Sequence, residues 1–418
     1  MTEPRRILIA GINYQPEKSG IAPYTTELAE HLVRQGHEVV VLTAMPSYPA
    51  WKVFEEYRGA LRHRRVEHGV EVRRFRHYLP ARQSAVLRAG YEFTYLAHAL
   101  SHGPLGRAPD LVLGVVPSLG GGVLAKLEAA RYRRPYGLIV QDLMGPATTQ
   151  SGISGGSAVA GATRFVEGWV ARGAAGVAVI SEGFRGYLER LGVNPDRIVH
   201  LPNWSHLRPV TESREQSRSR MGWLPGEQIV LHTGNMGLKQ GLENLLEVAR
   251  RAAIESPRSR FILLGDGNQR PTLENMARSI ARVEFLDLVD DDVYPNVLAA
   301  ADVLVVNERA GVADMSLPSK LTSYFAAGRA VVVAVPSGSA TALEAVRAKA
   351  ALVVPAEDPG AFVAALLRLA NHPDLATQLA ANGVRYAADE LTPAACLARA
   401  DAFIETMIPA AVSAQPNP

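Results

Sequence analysis

Residues 6–12 read RILIAGI, residues 22–35 read APYTTELAEHLVRQ and residues 38–42 read EVVVL. The first and third runs are apolar almost throughout, as strands are when helices cover both faces of a parallel sheet. The middle run repeats apolar residues at helical spacing, with Pro23 in its first turn and Gly36 just after its end. This stretch therefore predicts a right-handed βαβ unit.

The same alternation of strand and helix continues along the chain and starts afresh at residue 228. Further apolar runs that predict strands lie at 111–116, 137–141, 176–180, 228–233, 261–264, 283–286, 303–306, 330–335 and 352–354. Strands that alternate with helices in this way form doubly wound parallel sheets. We expect an α/β protein with two doubly wound Rossmann-like domains facing a central cleft, and ligands bound at the carboxyl ends of the strands.

A polar segment separates the two halves. Residues 208–226 are rich in Ser, Arg and Glu and end in Leu-Pro-Gly, as an interdomain linker does. We therefore predict an N-terminal domain over 1–207 and a C-terminal domain over 227–392. A last helix over 393–408 is expected to pack back toward the N-terminal domain, and the tail 409–418 is expected to be disordered.

Composition narrows the class of protein. The chain has 418 residues, of which 47% are hydrophobic and 20% charged, and this excludes a disordered chain or a small disulfide scaffold. The single cysteine, Cys396, permits no intrachain disulfide and fits a reducing compartment. No secretory signal and no run of about 18 apolar residues is visible, so we expect a cytoplasmic protein.

The net charge is only +3, but arginine is concentrated in one region. From Arg58 to Arg88 the chain contains nine arginines, against the two acidic residues Glu67 and Glu71. Such a run is either a solvated face or a patch for anionic headgroups at the inner face of a membrane. No zinc-finger spacing or RNP-like aromatic pattern is present, so no nucleic-acid partner is expected.

The loop 233–241, which reads TGNMGLKQG, is the first candidate binding site of the second half. It follows an apolar strand and opens a helix. Gly234 and Gly237 keep its backbone bare, and Lys239 supplies a point cation where a phosphate would need one. The plain alternative is an exposed loop lysine.

The segment 316–321, which reads SLPSKL, is the second candidate. It places two hydroxyls and Lys320 at a helix N-terminus, where free N–H groups favour an anion. The plain alternative is ordinary N-capping by Ser316 or Ser319. Two such loops in one domain indicate a diphosphate-binding site.

The first half offers two further candidates. The loop 11–20 lacks the G-x-G-x-x-G dinucleotide pattern, yet Gly20 allows backbone N–H groups to face an anion, unless the loop is a plain βα turn. Asp142 follows the strand 137–141. It would serve either as a general base or as a helix cap or structural carboxylate.

The sequence lacks the residue patterns of several other classes of enzyme. The sequence contains no Walker A lysine motif and no His, Cys and carboxylate cluster with zinc spacing. ATPase and zinc chemistry are therefore not expected, and neither a metal nor a cofactor is predicted.

Taken in order, the motifs resemble retaining glycosyltransferases of family 4, which have the GT-B architecture, over about residues 5–400. The resemblance is carried by YQP (14–16), SGIA (19–22), GHEV (36–39), ISE (180–182), LPNW (201–204), LGDG (264–267), AADV (300–303) and AAGR (326–329). The forms GNMGLKQGL (234–242) and PSKL (318–321) are most similar to the colanic-acid and exopolysaccharide subgroup, some of whose members are described as fucosyltransferases.

This resemblance implies transfer of a sugar from a nucleoside diphosphate sugar on the second domain to a saccharide, lipid-linked or small-molecule acceptor on the first. It implies no metal, because such enzymes hold the leaving diphosphate with cationic side chains and helix dipoles. The substrate-binding residues expected are Gly20, Asn235, Gly237, Lys239, Ser316, Leu317, Pro318, Ser319 and Lys320. The catalytic residues expected are Asp142 and Lys239.

The sequence departs from the family pattern at two places. Many relatives carry two glutamates with seven residues between them, and Met315 and Ser323 occupy those positions here. Asn235 lies near the position of an arginine that pairs with the diphosphate lysine in many relatives. Lys320 or Arg309 would then supply the missing positive charge.

Three alternatives remain open at this point. The acceptor is either a glycan in exopolysaccharide assembly or a soluble small molecule such as a natural product. A sugar-nucleotide epimerase of the same architecture would need a base over the sugar C2 carbon, and no His and Glu pair suggests one. A non-catalytic nucleotide-sugar binder is consistent with the missing glutamates.

Overall fold

The computed structural model describes residues 3–80, 84–145, 156–311 and 317–408. The chain divides into two compact units. The first unit contains the residues up to Pro202 together with the segment from Cys396 onward, and the second unit is Asn203–Ala395. Met315, Ser316 and the tail 409–418 lie outside the described residues.

The first unit is built on a single sheet. Its described strands are β1 (Arg6–Ala10), β2 (Glu38–Ala44), β3 (Arg62–Glu67), β4 (Val70–Phe75), β5 (Leu111–Val116), β6 (Tyr136–Val140), β7 (Gly176–Val179) and β8 (Ile198–His200). Their order across the sheet is β3-β4-β2-β1-β5-β6-β7-β8. Neighbours are parallel except β3 and β4, which form an antiparallel hairpin at one edge.

Helices connect the strands of the first unit. Those described are α1 (Ala22–Arg34), α2 (Ala85–Leu100), α3 (Leu119–Tyr132), α4 (Gly156–Gly173), α5 (Arg185–Arg190) and the C-terminal helix Pro393–Met407. The C-terminal helix packs against β6 and β7. A Cβ on Gly137 would lie 2.6 Å from Met407 Sδ, and one on Gly176 would lie 2.6 Å from Phe403. Glycine at these two strand positions therefore makes room for the helix.

The second unit is built on a wholly parallel sheet. Its strands are β9 (Gln228–Thr233), β10 (Ser259–Leu264), β11 (Val283–Leu286), β12 (Val303–Asn307), β13 (Ala330–Val335) and β14 (Ala351–Pro355). Across the described sheet their order is β11-β10-β9-β12-β13-β14. The helices described are α6 (Arg214–Arg220), α7 (Glu243–Glu255), α8 (Arg270–Ala277), α9 (Tyr294–Ala300), α10 (Lys320–Ala326), α11 (Ala340–Ala348), α12 (Pro359–Asn371) and α13 (Pro373–Glu390).

Two apolar clusters cover the faces of this second sheet. Val230, Phe261 and Val305 belong to one cluster, and their strand neighbours Leu231 and Ile262 belong to the other. Because successive strand residues point to opposite faces, the clusters lie on opposite sides of the sheet. Both faces are therefore buried under helices, as the near-continuous apolar runs predict.

The arginine-rich region contains a hairpin that the sequence analysis missed. His68 and Gly69 connect β3 to β4, both with positive φ (+47° and +83°), as the favoured two-residue hairpin turns require. Strand β3 lies at the sheet edge and is largely exposed, and charged side chains there discourage pairing with another sheet edge.

The prediction of one solvated or lipid-facing basic run is wrong for two of its arginines. The side chains of Arg73 and Arg74 are both buried, although successive strand residues point to opposite faces of the sheet. Arg73 Nε lies 2.7 Å from Glu71, and Arg74 Nη1 lies 2.6 Å from Glu67. These two arginines are therefore internal ion-pair partners, whereas Arg82 lies outside the described residues.

The predicted linker 208–226 is an ordered part of the second unit. It contains helix α6, which begins with a capping box between Ser213 and Gln216. Trp223 is buried in an apolar cluster beside this helix. The polar composition therefore reflects a capped, ion-paired helix, and the boundary between the units falls at Pro202 and Asn203 instead.

Candidate functional site

The loop 233–241 lies at the carboxyl end of β9 and is held by backbone hydrogen bonds to the neighbouring turn 264–267. Gly234 N donates to Leu264 O (2.8 Å), and Met236 N donates to Asp266 O (2.8 Å). A Cβ on Gly265 would lie 2.0 Å from Gly234 O, and one on Gly267 would lie 2.5 Å from Met236 O. The glycines of this turn are therefore required for two loops to touch backbone to backbone.

The far end of the same loop is fixed by an asparagine that sequence reasoning missed. Asn307, the last residue of β12, donates to the carbonyls of Gln240 (2.7 Å) and Gly241 (3.0 Å). Its Oδ1 accepts a hydrogen bond from Asn244 Nδ2 (2.8 Å). The sequence signal that could have identified Asn307 is its polar side chain at the end of an otherwise apolar strand. The loop is thus clamped by uncharged groups at both ends.

Lys239 lies on the single 3₁₀ turn Leu238–Gln240 of this loop, and its side chain is exposed. Among the described residues its ammonium group has no hydrogen-bond or ion-pair partner. Gly237 N donates to Gln240 Oε1 (3.1 Å), and the exposed Asn235 lies so close that a Cβ on Gly237 would be 2.9 Å from its Nδ2. The loop therefore presents Asn235 and Lys239 to solvent together.

Lys320, the first residue of helix α10, brings a second ammonium group beneath the same loop. Its Nζ lies 3.3 Å from Nε2 of the fully buried His232, and a Cβ on Gly234 would lie 3.9 Å from Lys320 Nζ. Burial lowers the pKa of Lys320 to about 7, although Glu308 acts in the opposite direction. Burial, and then the charge of Lys320, hold the pKa of His232 well below its usual value, so the imidazole is neutral.

The described residues just before Lys320 make contacts mainly within their own segment and with the apolar cluster beside it. Leu317 packs against the apolar cluster that contains Tyr324, and Pro318 O accepts a hydrogen bond from Leu321 N (3.0 Å). Ser319 is exposed, and its hydroxyl does not cap helix α10, contrary to the capping alternative. Ser316 lies outside the described residues, and Ser323 lies within helix α10.

In the first unit, the loop 11–20 is organised by a buried carboxylate. Glu17 Oε1 accepts hydrogen bonds from Ser47 N and Tyr48 N (2.8 Å each), and its Oε2 accepts one from Asn13 Nδ2 (2.9 Å). Gly20 has φ +69°, and a Cβ there would lie 3.4 Å from the Tyr48 ring. The predicted Gly20 is therefore exposed at the end of a loop whose shape Glu17 sets, a role that the sequence did not reveal.

Asp142 follows β6, with its side chain partly buried. The N–H groups of Met144 and Gly145 donate to the carboxylate of Glu167 (2.9 and 3.1 Å). Tyr187 also donates to Glu167 (2.6 Å), and burial raises the pKa of that carboxyl group. Glu167 therefore accepts hydrogen bonds from the backbone of the segment that follows Asp142.

The structure thus places the predicted residues in two groups. Asn235, Gly237, Lys239 and Leu317–Lys320 lie at the carboxyl ends of β9 and β12 in the second unit, whereas Gly20 and Asp142 lie at the carboxyl ends of β1 and β6 in the first. Across the part of the chain that the structure describes, no group of three or more His, Cys, Asp or Glu residues is placed to hold a metal ion. No helix in that part is both long and apolar enough to span a membrane.

Two family descriptions match the chain in tandem. Residues 19–204 match the glycosyl transferase 4-like domain, and residues 227–372 match the glycosyl transferases group 1. The colanic acid biosynthesis glycosyl transferase WcaI of Escherichia coli (strain K12) is 34% identical over 343 residues, which cover 78% of this chain and 83% of the relative. The chain therefore belongs to the glycosyltransferase family defined by these two domains, and the predicted membership is confirmed.

Solved structures of glycosyltransferases share the fold. Sucrose-phosphate synthase from Thermosynechococcus elongatus has a TM-score of 0.71 at 18% identity and covers 96% of this chain and 98% of its own. Anabaena HepE in complex with UDP has a TM-score of 0.69 at 14% identity and covers 96% and 100%. The GT-B class with two parallel-sheet, Rossmann-like domains is therefore confirmed.

Proposed function

We propose that this glycosyltransferase moves a sugar from a nucleoside diphosphate sugar to an acceptor hydroxyl, with retention of anomeric configuration and without a metal ion. One observation carries the proposal. At the carboxyl end of the second sheet, Lys239 is exposed on a glycine-rich loop, while the Lys320 ammonium lies beneath Gly234 against the neutral His232. Two cationic side chains beside this glycine-rich loop suit a diphosphate.

In the proposed reaction, the bond between the anomeric carbon and the terminal phosphate oxygen breaks, and the acceptor oxygen bonds to that carbon on the same face. The departing diphosphate keeps the electron pair of the broken bond, so nearby cations stabilise the transition state. Lys239 and Lys320 take this role in place of a divalent ion. The acceptor proton passes to the departing phosphate oxygen or to Asp142.

Many relatives carry an arginine near the position of Asn235. Lys320 is better placed than Arg309 to supply that positive charge here. Arg309 Nη2 donates to Glu243 (3.0 Å), so its charge is already paired. The Lys320 ammonium is instead held against a neutral imidazole, with a pKa of about 7. A bound diphosphate would favour its protonated form, so substrate binding and protonation support each other.

The comparisons support a nucleotide-sugar donor and a polysaccharide product. HepE has been crystallised with UDP and with UDP-glucose, and the relative WcaI is named for colanic acid biosynthesis. We propose an exopolysaccharide or lipid-linked acceptor, handled by a cytoplasmic enzyme at the inner face of the membrane. The exposed Arg62, Arg64 and Arg65 of strand β3 provide the proposed contact with anionic lipid.

The deciding experiment incubates the purified enzyme with UDP-, GDP-, dTDP-, CDP- and ADP-sugars, with and without saccharide and polyprenyl-linked acceptors. We expect one nucleotide to be released only when an acceptor is present, at a rate that EDTA does not change. The glycosidic configuration of the product, read by NMR, tests retention.

Other outcomes would redirect the proposal. A changed sugar nucleotide in the absence of acceptor would indicate an epimerase. Tight donor binding with neither transfer nor hydrolysis would indicate a nucleotide-sugar binder. Loss of activity with EDTA, restored by magnesium, would contradict the metal-free part of the proposal.

A further inference from the structure

A cavity of about 1240 Å³ opens at the opposite edge of the second sheet. Its lining includes the first residues of β9, β12 and β13, namely Gln228, Val303 and Ala330. The loop 233–241 lies at the other end of β9, which is six residues long. At about 3.3 Å per residue the two edges are about 20 Å apart, so this cavity is distinct from the proposed donor site.

Three of the four arginines that line this cavity, Arg214, Arg218 and Arg329, lie around Asp302. Asp302 forms ion pairs with Arg214 Nη2 and with Arg218 Nη1, the latter at 3.0 Å, and it also accepts a hydrogen bond from Ile229 N (2.7 Å). Arg218 in addition donates to three backbone carbonyls. Arg218 and Asp302 are therefore saturated by the protein itself.

The third arginine, Arg329, is not saturated. Its half-buried guanidinium makes no hydrogen bond or ion pair with any residue that the structure describes, and its Nε is fully enclosed. Arg214 Nε is likewise enclosed without a partner. Burial lowers the pKa of Arg329, and the charge of Arg214 lowers it further. Leaving a half-buried guanidinium without an acceptor is costly, and an oxyanion in the cavity would accept hydrogen bonds from the terminal N–H groups of Arg329, which, unlike Nε, are not enclosed.

The acidic residues of the lining do not supply that partner. Glu227 pairs with Arg260 (3.2 Å) and Arg282 (2.9 Å), both outside the cavity lining. Glu255 pairs with Arg251 (3.3 Å), and Glu215 is exposed. Because Asp302 is shared by Arg214 and Arg218, positive charge is left over at Arg329.

We infer that this cavity is an oxyanion site, in which Arg329 and Arg214 bind a phosphate group of a small molecule or a lipid headgroup. Guanidinium groups offer several N–H donors in a planar fork that matches phosphate oxygens. The site is separate from the proposed donor-binding loop and does not depend on the proposed reaction. A phosphate group bound in this cavity would stabilise the edge of the second sheet that lies opposite Lys239.

Hydrogen exchange measured by mass spectrometry tests the inference, because it reports each edge of the sheet separately. Inorganic phosphate is the probe, compared with potassium chloride at equal ionic strength. We expect phosphate to slow exchange in segments 214–223 and 328–332 of the wild-type protein. The Arg329→Gln variant should need at least tenfold more phosphate for the same protection, while Arg329→Lys should retain part of it.

Two matched variants serve as controls. Arg278→Gln removes an exposed arginine that lies outside the cavity, and Lys239→Ala removes the exposed cation of the loop 233–241. Both should keep the phosphate protection of 214–223 and 328–332. Protection confined to 233–241, equal protection by chloride, or undiminished protection in Arg329→Gln would overturn the inference.

Two further probes distinguish a soluble phosphate ester from a lipid headgroup as the source of the phosphate group. Protection by glycerol 3-phosphate at the concentrations effective for inorganic phosphate assigns a soluble phosphate ester. Protection only by vesicles that contain phosphatidic acid assigns a lipid headgroup. No protection by inorganic phosphate, the ester or the vesicles rejects the site altogether.

Discussion

The loops that follow the central strand of each unit, 11–20 after β1 and 233–241 after β9, are held in opposite ways. Buried charges hold the first: Glu17 binds the backbone of Ser47 and Tyr48, and Arg74 donates to Gln15 O (2.7 Å). Backbone groups and the amide of Asn307 hold the second. The second loop therefore keeps Lys239 available for a ligand, whereas the first uses its nearby charges for structure.

The largest expected effect tests the structural charges of the first unit. Arg74→Met leaves Glu67 without its buried partner and releases Gln15 O, so we expect the free energy of unfolding to fall by about 3 kcal/mol. Urea denaturation measures this. The exposed Arg64 pairs with Glu71 at 2.9 Å, and Arg64→Met should cost less than about 1 kcal/mol. A similar fall in the free energy of unfolding for both variants would show that the buried ion pair of Arg74 contributes no more than the exposed ion pair of Arg64.

The next effect tests the buried charge of the second unit. Lys320→Met removes an ammonium group that no acidic partner neutralises within hydrogen-bonding distance among the described residues. We expect nucleoside diphosphate affinity to weaken by about 3 kcal/mol, roughly 150-fold, while the fold is retained. Calorimetric titration measures the affinity, with the exposed Lys349→Met as the control. Unchanged affinity would remove Lys320 from the site.

Lys239→Ala should have a smaller effect on the same affinity. Because its ammonium is exposed, solvent screening reduces its contribution, and we expect about 1.5 kcal/mol, roughly tenfold. The same titration applies. A loss larger than that of Lys320→Met would reverse the order of the two lysines and place the diphosphate at the outer surface of the loop.

The smallest effect is on the pH dependence of stability. The pKa of Lys320 is about 7 in the folded protein and 10.5 in the unfolded chain, so between these values the unfolded chain binds more protons. Stability should therefore rise with pH through this window because of Lys320. Between pH 7 and pH 8 the wild type should gain about 1 kcal/mol more than Lys320→Met, by urea denaturation at each pH. Parallel pH profiles would show that Lys320 is solvated.

The sequence predicted most of the candidate site but not its internal support. The spacing of glycines and lysines in 233–241 and 318–321 indicated a phosphate-binding edge, and their order along the chain indicated the family. Asn307, Glu17 and Glu167 were missed because each acts on backbone groups distant in sequence. The hairpin β3–β4 was missed because its charged residues hide the strand periodicity, and its two arginines are buried only through contacts with other segments.

The alternation of strands and helices, the glycines that allow loops to touch, and the resemblance to GT-B glycosyltransferases can all be read from the amino-acid sequence. These properties depend on local periodicity and residue type, which can be read from neighbouring residues. Which charges are paired, buried or exposed becomes visible only in the folded chain. Lys320 meets His232 across 88 residues, and Arg329 lies unpaired among arginines from helix α6. The surroundings of a charge are set by packing between distant segments, and local sequence does not encode them.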